Sequence, residues 1–172
     1  MSKEIKVAII GLDTSHTIEF TKRMHGVDCP ADQQVKGLRA VSCLRFPTPF
    51  QNEAGLDARQ KLMEDMGVKV TSCFDEAVAD CDVIMIEIND PAFHLDYFTR
   101  CAELGKLIFL DKPVSDTIAN GIKIAKIAAE KNIKFFSTSA LRYDRDVVAA
   151  REKMSAPAAT TIWGPLGIAP AG

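Results

Sequence analysis

Lys6 to His16 reads Lys-Val-Ala-Ile-Ile-Gly-Leu-Asp-Thr-Ser-His, and the fold turns on how this stretch is read. Val7 to Ile10 is a short apolar run with β-branched residues, the pattern of a strand buried on both faces. Gly11 breaks the run. Asp13, Thr14 and Ser15 are residues that cap helix N-termini, and an amphipathic stretch follows through Met24. Strand, glycine turn and helix at the head of a chain predict a nucleotide-binding α/β domain, in which the helix start offers free amides and a positive dipole end to a phosphate.

The turn departs from the dinucleotide fingerprint Gly-x-Gly-x-x-Gly. Its three places hold Gly11, Asp13 and His16. The first glycine, which makes the tight turn, is present. The second, which lets the backbone approach a pyrophosphate, is an aspartate, and the third, which allows close helix–strand packing, is a histidine. A bare carboxylate about 5 Å from a phosphate charge would cost roughly 3 kcal/mol at an effective dielectric near 20. That is around a hundredfold in affinity. If Asp13 instead caps the helix and points away, Thr14 and Ser15 are left to donate hydroxyl hydrogen bonds to a phosphate.

Outward from this stretch, strands and helices alternate. The first helix is expected over Ser15 to Met24, followed by a surface loop from Gly26 to Gly37. Leu38 to Leu44 reads as the second strand, ended by the prolines of Arg45-Phe46-Pro47-Thr48-Pro49. Glu53 to Met66 reads as a helix burying Leu56, Leu62, Met63 and Met66, with Gly67 as its stop. Val68 to Thr71 is a short third strand, and Asp75 to Ala79 a helical turn. Asp82 to Ile88 is a near-continuous apolar run, as expected of a strand with parallel neighbours on both sides. Pro91 opens a helix carrying Leu95, Phe98, Cys101 and Ala102 on one face, which stops at Gly105. Leu107 to Leu110 is the fifth strand. A long helix capped by Ser115 or Asp116 places Ile118, Ile122, Ala125 and Ala129 on one face, Ile133 to Ser137 is the sixth strand, and Asp144 to Met154 is helical.

This alternation predicts a doubly wound parallel sheet, a Rossmann fold, with strand order 3-2-1-4-5-6. Ligands of such sheets sit at the carboxyl ends of the strands, near the switch point between strands 1 and 4. Gly11–His16, Arg45, Asn89–His94, Asp111-Lys112 and Ser139–Arg142 are therefore expected along one rim.

Composition narrows the function classes. The chain has 172 residues, 47% of them hydrophobic, and a formal net charge of −2, which fits one globular core. Its basic residues are dispersed, so neither nucleic acid nor a membrane surface is an expected partner. No apolar run is long enough to span a bilayer, and Met1–Lys6 leads straight into a strand. The five cysteines are odd in number with no Cys-x-x-Cys pair and read as reduced, mostly buried thiols, so a cytoplasmic protein is expected. No metal site is expected: a set of His16, Asp13 and His94 would need a geometry that spacing does not supply. His25 reads as a surface residue. Arg142 reads equally as a contact for an anionic substrate or as a surface partner of Asp144 or Asp146.

At Asp111-Lys112-Pro113 the pattern becomes specific. The ordered segments resemble the nucleotide-binding half of the glucose–fructose oxidoreductase/inositol dehydrogenase family, the Gfo/Idh/MocA oxidoreductases. The family's Thr-Pro-Asn-x-x-His-type segment is matched by Asn89-Asp90-Pro91-Ala92-Phe93-His94, its Ala-x-x-x-Gly-Lys stretch by Cys101-Ala102-Glu103-Leu104-Gly105-Lys106, and its Glu-Lys-Pro by Asp111-Lys112-Pro113. A long Ala-rich helix over Ile118–Lys131, a strand at Phe135–Ser139 and Arg142 follow in the same order. The likeness covers roughly Ile5 to Arg145.

The resemblance implies an NAD(P)-dependent oxidoreductase acting on a sugar-like or polyol substrate, of which this chain is the cofactor half. The alternative is a non-catalytic nucleotide-binding or interaction module with a degenerate dinucleotide site. On the first reading Lys112 inherits the role of the family's lysine beside the nicotinamide and substrate hydroxyl. A partly desolvated lysine there would have a lowered pKa and could help move a proton. The implied cofactor-binding set is Gly11, Leu12, Asp13, Thr14, Ser15, His16, Arg45, Asn89, His94, Asp111, Lys112 and Pro113. His94 is read equally as a cofactor or substrate contact and as a capping or buried structural residue. Arg45 stands where an NAD-selective site carries an acid for the ribose hydroxyls; Arg suits a 2′-phosphate, so the lean is towards NADP over NAD.

The expected division is a Rossmann-like domain over 1–145 and, over 146–172, a helix and an Ala/Pro/Gly-rich tail that begins a second domain. In the family that second domain supplies the substrate pocket, an Asp-x-x-x-His motif and the dimer surface. Thr160–Pro165 reads as its first strand, and the chain reads as truncated after it, which leaves Trp163 available for self-association through the tail.

Overall fold

The computed structural model describes residues 4–154. The chain divides between Ser137 and Thr138 into two compact units. The expected strand at Thr160–Pro165, and Trp163 with it, lie outside the described residues.

The first unit is the doubly wound sheet. Its strands are β1 (Ile5–Ile10), β2 (Leu38–Leu44), β3 (Lys69–Thr71), β4 (Val83–Ile86), β5 (Leu107–Leu110) and β6 (Phe135–Phe136), and its helices are α1 (Ser15–His25), α2 (Glu53–Asp65), α3 (Phe74–Val78), α4 (His94–Ala102) and α5 (Ile118–Glu130). The sheet order is β3-β2-β1-β4-β5-β6, and every pairing is parallel. β2 and β5 have the expected bounds. β4 is assigned shorter than expected, yet its ladder continues: the Asp82 N–H donates to the Lys6 carbonyl and the Glu87 N–H to the Ile10 carbonyl, both at 2.8 Å.

The period of two along each strand builds two cores. Ala8 and Ile10 of β1 join Ile84, Ile86, Ile108 and Leu110 against Phe74, Phe98 and Ile124 of α3, α4 and α5. Val7 and Ile9 join Ala40 and Cys43 against Ile18, Met24, Leu56 and Met63 of α1 and α2. A strand with apolar side chains on both faces can only be central, so β1 and β4 sit mid-sheet. Cys43, Cys81 and Cys101 are buried free thiols; Cys29 is intermediate and Cys73 exposed. Burial pushes the Cys101 thiol up to about 12.

Four expectations are corrected. The first concerns the face of α5. Ile118 is 86% exposed and Ile122 52%, Ala125 and Ala129 are exposed, and Ile124 and Ala128 are the buried positions. Apolar residues lie on more than one face of this helix, so periodicity alone left two candidate faces, and contact with α4 and the sheet selected the other one. The second concerns Leu62, which is 47% exposed while Leu56, six residues before it, and the adjacent Met63 fill the core. The third is the α5 cap: Thr117 Oγ1 accepts the Asn120 N–H at 3.2 Å, and Asp116 instead takes the Asn120 side-chain amide at 2.8 Å. The fourth is His25, which is half-buried, its ring nitrogens each 3.1 Å from a carbonyl, of Met66 and of Ala40. It ties the end of α1 to β2 and to the end of α2.

In the second unit Ser139 Oγ accepts the Leu141 N–H of the short 3-10 turn Ala140–Tyr143, and the Asp144 carboxylate accepts from Asp146 and Val147 at the start of α6 (Arg145–Lys153). The 145/146 division read from the sequence falls at this helix start. Among the described residues, no helix is long and apolar enough to cross a membrane.

Candidate functional site

The carboxyl ends of β1, β4 and β5 bring the first turn of α1, the segment 87–94 and the segment 111–114 to one rim. Gly11 leaves β1 with φ of +109°, a conformation that side chains rarely adopt, and a Cβ there would lie 2.3 Å from the Glu87 carbonyl oxygen of β4's extension. Its own carbonyl accepts the Thr17 hydroxyl at 3.0 Å, which fixes the turn against α1. The first glycine of the fingerprint is therefore required by close packing of β1 on β4 as well as by the turn.

Thr14, and not Asp13, caps α1: its Oγ1 accepts the His16 N–H at 3.2 Å. Thr14→Ala should lower stability by about 1 kcal/mol, read as a shifted urea midpoint with an unchanged slope. Asp13 is 4% exposed and spans two loops. Its Oδ2 accepts the Thr48 hydroxyl at 2.7 Å and its Oδ1 accepts the Asn89 N–H at 3.0 Å. Arg59 reaches the same turn from α2, donating to the Leu12 carbonyl at 3.1 Å, and its charge interacts with Asp13. The carboxylate in the second glycine's place is thus inward-facing and compensated, which removes most of the repulsion that a bare carboxylate would exert on a phosphate. Ser15, by contrast, is exposed at the first helical position.

His16, in the third glycine's place, points along the rim rather than into the helix–strand contact. Its ring packs on Phe20 with centroids 5.5 Å apart. Nδ1 lies 2.7 Å from Asp111 Oδ2 and 3.8 Å from Glu87 Oε2. Asp111 is itself buried, and its Oδ1 accepts the Lys112 N–H at 2.7 Å. Glu87 is fully buried and neither carboxylate oxygen has a hydrogen-bond partner. Burial pushes its carboxyl well above the ordinary range, and the Asp111 charge adds to this while Lys112 opposes it.

Lys112 is exposed, so the desolvation expected for it is absent; a cis Lys112-Pro113 peptide carries the chain out of β5. His94 is buried at the start of α4 and takes the structural role, with Nε2 2.9 Å from the Ile88 carbonyl and Nδ1 3.3 Å from that of Val114. It therefore pins the loop after β5 to the end of β4, while Asn89 serves through its backbone. The set His16, Asp13 and His94 is not brought together, since Asp13 and His94 spend their polar atoms elsewhere. Arg45, at the end of β2, is ion-paired with Glu53 and with Asp57, the latter at 2.7 Å, and donates to Gln60 at 2.6 Å. These four residues with Val70, Thr71 and Ser72 line an open depression of about 550 Å³. Ser139–Arg142 belongs to the second unit.

Glu87, Arg59 and Thr48 are the rim residues that spacing did not single out. Glu87 carried a signal: it is the one charged side chain inside the apolar run Val83–Ile88.

The comparisons with known proteins agree with this architecture. Residues 52–139 match the Gfo/Idh/MocA family model, described as an oxidoreductase family with an NAD-binding Rossmann fold. An uncharacterized oxidoreductase of Streptococcus pneumoniae is 25% identical over 97 residues, covering 56% of this chain and 26% of that protein. Scyllo-inositol dehydrogenase of Lactobacillus casei, solved with NAD(H) and scyllo-inositol, shares the fold at 24% identity and a TM-score of 0.65, over 87% of this chain and 40% of that one. The WlbA dehydrogenase of Chromobacterium violaceum, solved with NADH and UDP-GlcNAcA, does so at 15% and 0.67, over 90% and 40%. The chain spans about two fifths of the length of these solved structures. With a matched segment that covers half of the sequence and the expected strand order in place, the chain belongs to the Gfo/Idh/MocA oxidoreductase family.

Proposed function

We propose that this chain is the dinucleotide-holding part of an NAD-dependent oxidoreductase that acts on a secondary hydroxyl of a sugar-like or polyol substrate. The observation that carries the reading is the rim itself. The Gly11 turn and the capped start of α1 face the switch point, and Asp111-Lys112-Pro113 ends the strand two places along the sheet. The His16 amide is capped by Thr14, and the neighbouring first-turn amides of Ser15 and Thr17 would hold the pyrophosphate, with the Ser15 hydroxyl beside them. The inward, hydrogen-bonded Asp13 leaves that approach open.

A bound nicotinamide would supply the hydride acceptor for oxidation of the carbinol carbon. Lys112 is solvated at the end of β5, so its amine could take the hydroxyl proton only after bound cofactor and substrate had displaced water from it and its own ammonium proton had been released to solvent; Asp111 holds its backbone through the 2.7 Å contact. The inositol and sugar-nucleotide ligands named for the two dehydrogenases above support a polyhydroxylated substrate class.

The ion pairs at the β2 end support NAD rather than the NADP expected from Arg45 by itself. Arg45 is already neutralised by Glu53 and Asp57, and a 2′-phosphate entering the depression would meet both carboxylates. The same carboxylates suit the ribose hydroxyls of NAD. Calorimetric titration with each reduced cofactor tests this. NADH should bind at one site about tenfold or more tighter than NADPH, equivalent to roughly 1.4 kcal/mol. Equal affinities, or tighter NADPH, would overturn the preference, and saturable binding of neither would overturn the reading as a whole.

A further inference from the structure

Of the cluster His16, Glu87 and Asp111, the reading above uses only the Asp111 contact to the Lys112 backbone, and the cluster has the features of a cation site. His16 Nδ1, a Glu87 oxygen and an Asp111 oxygen all lie within 4.8 Å of one another. The 2.7 Å and 3.8 Å separations from His16 Nδ1 bracket the ~3.0–3.4 Å expected between neighbouring ligands of a cation bound at about 2.1 Å. Proximity of two acids and a histidine would not be enough. The second observation is Glu87: it is 0% exposed, and both of its oxygens lack any hydrogen-bond partner. Buried carboxylates are ordinarily paired, hydrogen-bonded or metal-bound. Lys112 does not serve the purpose, since its side chain is exposed and donates no hydrogen bond to either acid among the described residues.

We infer that His16, Glu87 and Asp111 form a three-ligand site for a divalent metal cation of the Mn²⁺ or Fe²⁺ type at the carboxyl ends of β4 and β5. Two carboxylates favour a hard cation, and the imidazole favours one with transition-metal character. The His16 side chain is 33% exposed, which gives the cation a route from solvent. Binding through Nδ1 displaces the proton shared with Asp111, which moves to Nε2 or is released. Asp111 remains oriented by the Lys112 N–H, as an outer-shell partner orients a ligand. Three protein atoms leave further coordination positions to water or to an oxygen ligand beside Lys112.

Mn²⁺ is the probe of choice, because the exposed Cys73 thiol competes for softer metals. Electron paramagnetic resonance on the full chain, without dinucleotide, should show saturation at one Mn²⁺ per chain and a directly coupled imidazole nitrogen. Glu87→Gln and Asp111→Asn should each weaken binding about tenfold or more. His16→Gln should abolish the nitrogen coupling; because His16 is partly exposed, this reading does not depend on how the buried variants fold. Absence of saturable binding, unchanged affinity in folded Glu87→Gln, or nitrogen coupling that survives His16→Gln would each overturn the inference. Because no dinucleotide is present, its failure is read separately from a failure of NADH binding.

Discussion

Replacing Gly11 with alanine is expected to destabilise the first unit by about 2–6 kcal/mol, at its upper end enough to unfold a domain of ordinary stability. Two terms add. A non-glycine residue at φ of +109° carries about 1–3 kcal/mol of backbone strain. The new methyl would also stand 2.3 Å from the Glu87 carbonyl oxygen and 3.0 Å from Ile88 Cγ1, so β1 and the extension of β4 must separate. Overpacking of that kind adds about 1–3 kcal/mol more. Urea denaturation followed by far-ultraviolet circular dichroism checks the sum. A loss below about 1 kcal/mol would mean that the two strands do not meet as described.

The second large effect has the opposite sign. Glu87→Gln is expected to raise stability at neutral and higher pH by about 1–3 kcal/mol, since it replaces a buried carboxyl that has no hydrogen-bond partner and faces Asp111. The pH dependence follows from the direction of the shift. The folded-state pKa of Glu87 lies above its unfolded value, so between the two the folded protein binds more protons and stability falls as pH rises. Below the ordinary carboxylate range Glu87 is protonated in both states and the burial penalty vanishes. The gap between wild type and variant should therefore be small near pH 4, open as pH rises through the folded pKa, and then stay level. At about 2–4 °C per kcal/mol, melting curves at pH 4, 6 and 8 resolve it. A gap that is constant with pH, or a variant less stable at pH 8, would contradict the account of Glu87.

The sheet was legible because its signals are local and redundant. β2 and β5 have the bounds read from Leu38–Leu44 and Leu107–Leu110, and the continuous run around β4 identified a central strand. Topology then placed the loops that carry the candidate residues on one rim, since a right-handed crossover leaves few alternatives. What was not legible depends on rotation or on contact through space. α5 has apolar residues on both faces, so the stripe Ile118, Ile122, Ala125 and Ala129 fitted the helical period as well as the buried Ile124 and Ala128 do.

The partners of polar side chains were hidden for the second reason. Asp13 reads as a lone carboxylate in a phosphate turn until Thr48 and Asn89 are seen to hold it. Arg45 reads as a phosphate ligand until Glu53 and Asp57, in the first and second turns of α2, close on it. Glu87 and Asp111 end adjacent strands, and His16 joins them from a residue 95 positions away from Asp111. No spacing rule connects such positions; only the parallel register does.

The account rests on the rim formed by the Gly11 turn, the start of α1 and the end of β5 being where the dinucleotide lies. Amide chemical-shift mapping of the 172-residue chain during titration with NADH tests that placement directly. The largest changes are expected at Gly11 to His16, at Asp111 and Lys112, and at the end of β2 around Arg45. Saturable binding whose shifts leave Gly11 to His16 unmoved would contradict it.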